Sequence, residues 1–103
     1  MCYDPTYSDQ AEEDVAKLPI ELLGFVESNL LVLCRQPVSL SRPSVFPYPP
    51  RCQLFHFHHP DFDGNRHDFT VLFRYFADEK ALYVLGIGHY ERGIIPSDEP
   101  PAL

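Results

Sequence analysis

The sequence is short of several things, and each shortage removes a class of function. Basic residues are scarce: eight Lys and Arg stand against fifteen Asp and Glu, a formal net charge of −7. A phosphate backbone repels such a surface, so a broadly basic nucleic-acid-binding face is excluded. Cys2, Cys34 and Cys52 are odd in number and form no CxxC pair. They read as reduced thiols in a cytosol rather than a disulfide framework. Cys52 has no activating partner in sequence, so these thiols read as small buried hydrophobes before nucleophiles. Long apolar runs are missing as well. The longest, Leu30 to Cys34, is far short of the ~20 residues that span a bilayer. The acidic N-terminus carries no apolar stretch, so no secretory signal is expected. There are no internal repeats. A soluble, cytoplasmic protein with no membrane partner is the expectation.

The negative charge is unevenly spread. Residues 1–30 hold seven acids against Lys17, and Asp98 and Glu99 follow Arg92. Residues 31–92 hold seven Lys or Arg against six Asp or Glu, and all five histidines. A local anion site in that middle segment is therefore compatible with the overall charge. At 103 residues the chain suits one domain. Residues 1–92 are expected to form it, and the proline-rich, acidic segment 93–103 to be a flexible tail.

"MCYDPTY" reads as a short edge strand, because Pro5 cannot serve a central ladder. In "SDQAEEDVAKLP", Asp9 and Glu12 resemble a capping box, and Ala11, Val15 and Leu18 form an apolar stripe. Pro19 breaks or restarts the helix. "PIELLGFVESNLLVLCRQP" carries Ile20, Leu23, Val26, Leu30 and Leu33 at helical spacing, widened by Leu22 and Phe25. Arg35 suits the C-terminal end, and Pro37 stops the helix. "QPVSLSRPSVFPYPP" holds five prolines and reads as an extended linker laid over the sheet. Its likeness to an SH3 ligand is superficial.

Three strands follow. "RCQLFHFHH" alternates, with Leu54, His56 and His58 on one face and Phe55 and Phe57 on the other. Asp63-Gly64 signals a turn. "FTVLFRYF" sets Phe69, Val71, Phe73 and Tyr75 against Thr70, Leu72, Arg74 and Phe76. Residues 77–80 turn into "ALYVLGIG", where Gly86 and Gly88 allow a bulge. The expected fold is α+β: a small antiparallel sheet, made of a three-stranded meander plus a short N-terminal edge strand, packed against an N-terminal helical hairpin. His56, His58 and Arg74 would point into the uncovered face.

That order of elements, with the hairpin "HDFTVLFRYFADEKALYVLGIGHYER", resembles a RelE/ParE-type toxin of a bacterial type II toxin–antitoxin system. The resemblance spans roughly residues 7 to 92. It implies a cognate antitoxin protein as partner. For nuclease members it implies metal-independent cleavage of mRNA at the ribosome, by attack of the ribose 2′-hydroxyl on the adjacent phosphate. Such chemistry takes a base, an acid and positive charge on the phosphorane, and no cofactor or metal. By this resemblance His56, His58, His89 and Tyr90 are the candidate catalytic residues, and Arg74 and Arg92 the candidate phosphate or RNA contacts. Thr70 stands where nuclease members commonly carry an Arg. A second implication is a non-enzymatic member, either a ParE-like protein acting on DNA gyrase or a degenerate one that binds only its antitoxin.

Plainer readings stand beside these. His56 and His58 can be part of a solvated strand face, or a metal pair completed by His89 or Asp61. His59 and His67 read as turn residues, and Tyr90 as packing on the sheet edge. Arg74 can form a salt bridge to Glu79 or Asp68. Glu91 and Arg92 can be solvated charges at a strand exit. The sharp expectation is that imidazoles from 56–58 and 89 converge on one exposed surface.

Overall fold

The computed structural model describes residues 2–45 and 48–93, with side chains described as far as Glu91. Strand β1 (Asp4–Tyr7) leads into helix α1 (Asp9–Ala16), helix α2 (Ile20–Arg35), a single turn α3 (Pro37–Leu40) and a two-residue strand β2 (Arg42–Pro43). Strands β3 (Gln53–Pro60), β4 (Arg66–Phe76) and β5 (Ala81–Gly93) follow. The tail expected from residue 93 onward lies, beyond Gly93, outside the described residues.

The N-cap of α1 is Ser8 rather than Asp9. Its Oγ accepts the Ala11 N–H at 3.0 Å and donates to the Leu85 carbonyl at 2.9 Å. One hydroxyl thus starts the helix and fastens it to β5. Pro19 caps α2, restarting the chain as expected. The buried face of α2 is Leu22, Val26, Leu30, Leu33 and Cys34. Ile20, expected in that stripe, is the first residue of the helix and is 91% exposed. Pro37 does not only end α2; its fixed φ suits the first position of α3.

The sheet has five strands in the order β1-β5-β4-β3-β2. The β3-β4-β5 meander is antiparallel as the short connections require. β1 is an edge strand, but it pairs parallel to β5, and β2 adds a second edge on β3. The sheet is therefore mixed. On one face Phe55, Phe69, Val71, Phe73, Leu82, Val84 and Ile87 pack under α1 and α2 in a single core. The other face is not helix-covered. A smaller cluster of Cys52, Leu54 and Leu72 is buried there with Tyr48 and Leu85 against it. The linker thus does lie on the sheet, through Tyr48. The three cysteines are free thiols. No helix among the described residues is long and apolar enough to cross a membrane.

Candidate functional site

The register of the meander decides which side chains can work together. On the uncovered face, His56 lies across from Thr70 and Thr70 from Gly88; in the next row His58, Asp68 and Tyr90 stand side by side. Neighbouring strands are ~4.8 Å apart, so His58 and Tyr90 flank Asp68 across a span of ~10 Å. His58 and Tyr90 are exposed, while Thr70 and Asp68 are buried.

His56 is held at both nitrogens. Its Nδ1 is 2.7 Å from Thr70 Oγ1, and its Nε2 is 2.7 Å from Arg42 Nη2. A guanidinium only donates, so Nε2 accepts and the proton sits on Nδ1, facing the threonine. Burial pushes the His56 pKa down, and the Arg42 charge pushes it further; Asp68 pulls the other way. His56 is thus a neutral ring with its basic nitrogen engaged. Arg42 was not legible in the sequence, where it sat among prolines in a linker. Pro43 beside it, a residue confined to sheet edges, was the one available signal. Arg66 Nη2 donates to Asp68 Oδ1 at 3.1 Å, which sets a second cation in this face.

His89 does not join this group. Phe57, Phe69 and His89 form the row between those two, on the helix-covered side. Phe57 stacks on Phe69 at 5.0 Å and Phe69 on His89 at 4.9 Å. The expected convergence of residues 56–58 with residue 89 on one surface is therefore corrected. The cause is a register shift in β5 between the pairs Leu72–Gly86 and Phe73–Val84. One extra residue there exchanges the faces of everything beyond it, sending His89 to the helix side and Tyr90 to the open side.

Arg74 is on the open side, but the Leu54–Leu72 cluster lies between it and His56. Four residues along a strand separate it from Thr70 by ~13 Å, and its guanidinium sits 5.4 Å over the Phe76 ring. The backbone of Arg92 lies in β5, one residue before its end at Gly93, and its side chain lies outside the described residues. The metal pair of His56 and His58 with His89 or Asp61 is not assembled, since the members occupy opposite faces.

On the helix side His89 has a different company. Its Nε2 is 2.8 Å from His67 Nδ1, and His67 Nε2 is 2.9 Å from Asp61 Oδ2. The His67 bond is the main cause of an Asp61 pKa lowered to about 2, aided by the Asn65 and Asp63 amides, so Asp61 is ionised. Burial and the His67 charge lower the pKa of His89. His67, read from sequence as a turn residue, is the buried centre of this chain of hydrogen bonds. His59 is not idle either: Phe25 of α2 stacks on its ring.

A groove of about 300 Å³ runs between α1, α2 and β1, with Tyr7, Val15, Val26 and Leu30 as apolar lining and Glu12 and Glu27 beside them.

No protein-family model matches the sequence, and no curated protein matches it. Among solved structures, a chain of the RelBE2 toxin–antitoxin complex from Mycobacterium tuberculosis superposes with a TM-score of 0.65 at 20% identity, over 87% of this chain and 100% of that one. A chain of the intact RelBE toxin–antitoxin complex from E. coli gives a TM-score of 0.56 at 13% identity, over 87% of this chain and 99% of that one. The α+β arrangement is the RelE-like fold. At these identities the likeness is one of fold.

Proposed function

We propose that this chain is the toxin of a toxin–antitoxin pair, and that it cleaves mRNA on the uncovered face of its sheet. The observation that carries the reading is the pair of rows His56–Thr70–Gly88 and His58–Asp68–Tyr90 on a face without helices. Cleavage by the ribose 2′-hydroxyl takes one group to remove its proton and one to protonate the leaving oxygen. His58 and Tyr90 are the exposed titratable pair, set either side of the row. Arg42, fixed against His56, supplies positive charge for the phosphate. His56 acts by positioning that arginine. No metal step is required.

The antitoxin contact is assigned to the groove between α1, α2 and β1. Its apolar lining suits the apolar stripe of an amphipathic segment, and Glu12 and Glu27 suit a basic flank. A disordered antitoxin segment would fold onto it.

One observation favours a non-enzymatic reading. Asp68 puts a carboxylate at the centre of the His58–Tyr90 row, where a phosphate would meet like charge. On that reading the chain binds its antitoxin, or a target such as gyrase, without cutting RNA. Controlled expression in a bacterial host tests the shared premise. Growth should stop when the chain is made alone and resume when the neighbouring small gene is co-expressed. Normal growth at high expression would contradict the toxin assignment.

A further inference from the structure

The chain of hydrogen bonds on the helix side does not belong to the open face, and its construction calls for a separate explanation. The loop after β3 is wound around Asp61. Its Oδ1 accepts the Asp63 and Asn65 amides, both at 2.9 Å. Its backbone carbonyl accepts the Gly64 N–H at 3.1 Å, with Gly64 at φ 84°, a left-handed conformation that a glycine takes without strain. Oδ2 is left aimed at His67 Nε2, with the Asn65 amide at 3.3 Å. The His67 ring is 3% exposed and fixed on its far side by His89. Across the ladder from His67 stands Glu91. One ligand atom from each of Asp61, His67 and Glu91 lies within 4.8 Å of the others.

We propose that Asp61, His67 and Glu91 form a binding site for a divalent transition-metal cation of the Zn²⁺ class, with His89 as the outer partner that orients His67. Two carboxylates and one neutral imidazole balance a 2+ ion and leave a fourth position open. Metal–ligand bonds of ~2.0–2.2 Å put tetrahedral ligand atoms ~3.4 Å apart. The Asp61–His67 separation opens by about half an ångström to reach this. Glu91, which is exposed, supplies the remaining movement. Both fixed ligands already have the supporting hydrogen bonds that metal sites use: amides on the far oxygen of Asp61, and an imidazole on the far nitrogen of His67.

The arrangement also fixes what the protons must do. Without metal, the ionised Asp61 can only accept, so a His67 in its neutral form carries its proton on Nε2 and accepts the His89 Nε2–H at its Nδ1. The cation needs the Nε2 lone pair. His67 must then carry its proton on Nδ1 and donate to His89 Nε2, whose own proton moves to Nδ1. Binding exchanges the tautomers of both rings with no net proton release from them.

Isothermal titration of the untagged full chain with Zn²⁺, together with ¹⁵N NMR of the histidine rings, tests the site. The expected result is one ion per chain and a simultaneous tautomer exchange at His67 and His89. Glu91→Gln, on the surface and therefore without consequence for folding, should weaken binding at least tenfold. His89→Ala should weaken it ~10–100-fold, as loss of an outer partner does. Absence of Zn²⁺ binding would overturn the proposal. So would binding unchanged in Glu91→Gln, or binding that leaves both tautomers as they were.

Discussion

Arg42 and His56 are joined through Nη2 and Nε2 at 2.7 Å, so a permanent cation from a two-residue edge strand adds to burial in keeping the histidine neutral. This gives the first prediction. The folded His56 pKa lies below its ordinary 6.5, with burial the larger cause and Arg42 the second. The unfolded chain therefore binds the His56 proton before the folded one does. The His56 contribution to stability falls as pH drops from 6.5 to the folded pKa and is level below it. In Arg42→Ala the His56 pKa should rise, yet stay below 6.5 because burial remains. Titration of the ring by NMR reads this directly, and an unchanged pKa would contradict the assigned contact.

Edge closure of β5 depends on α1. Asp14 Oδ2 accepts the Ile87 N–H at 2.9 Å just beyond the end of β1, and Ser8 holds the Leu85 carbonyl. Asp14→Ala should cost about 1–3 kcal/mol, the penalty for stranding a part-buried amide. Hydrogen exchange at Ile87 should speed up in this variant while exchange at Val71 changes only with global stability.

Phe69 is fully buried between Phe57 and His89. Truncation to Ala should cost ~3–5 kcal/mol in denaturant unfolding, as large cavities do. A cost near that of a surface change, under about 0.5 kcal/mol, would mean that the stacked column is not part of the core.

Much of this architecture could be read from the order of residues, and the failures have identifiable causes. The alternation in β3 and β4 told correctly which side chains share a face, because Phe and Val at every second position leave one pleat to bury. In α2 the apolar residues cover too wide an arc to define the buried line, so Ile20 reads as part of it although it is 91% exposed. β5 misled because Gly86 and Gly88 carry no side chain to report parity, and the extra residue opposite Leu72 reverses it. That single irregularity separated His89 from His56. Arg42 and His67 were missed for another reason. Their partners stand on other strands, His56 fourteen residues on from Arg42 in one case and His89 twenty-two residues on from His67 in the other.

Tyr90 and His89 are consecutive in β5 yet face opposite sides of the sheet. Tyr90→Phe should abolish growth arrest if the phenol donates the proton to the leaving oxygen. His89→Ala should preserve arrest provided the variant remains folded by circular dichroism. Loss of toxicity in a folded His89→Ala, with Tyr90→Phe fully toxic, would reverse the assignment of faces.

The most direct measurement is the mapping of mRNA 5′ ends in cells expressing the chain, beside cells expressing His58→Ala. The account expects cuts in phase with codons for the native chain, and a loss of ~100-fold or more in the variant, the scale of general acid–base catalysis. Growth arrest without RNA cuts, or cuts undiminished in His58→Ala, would contradict it.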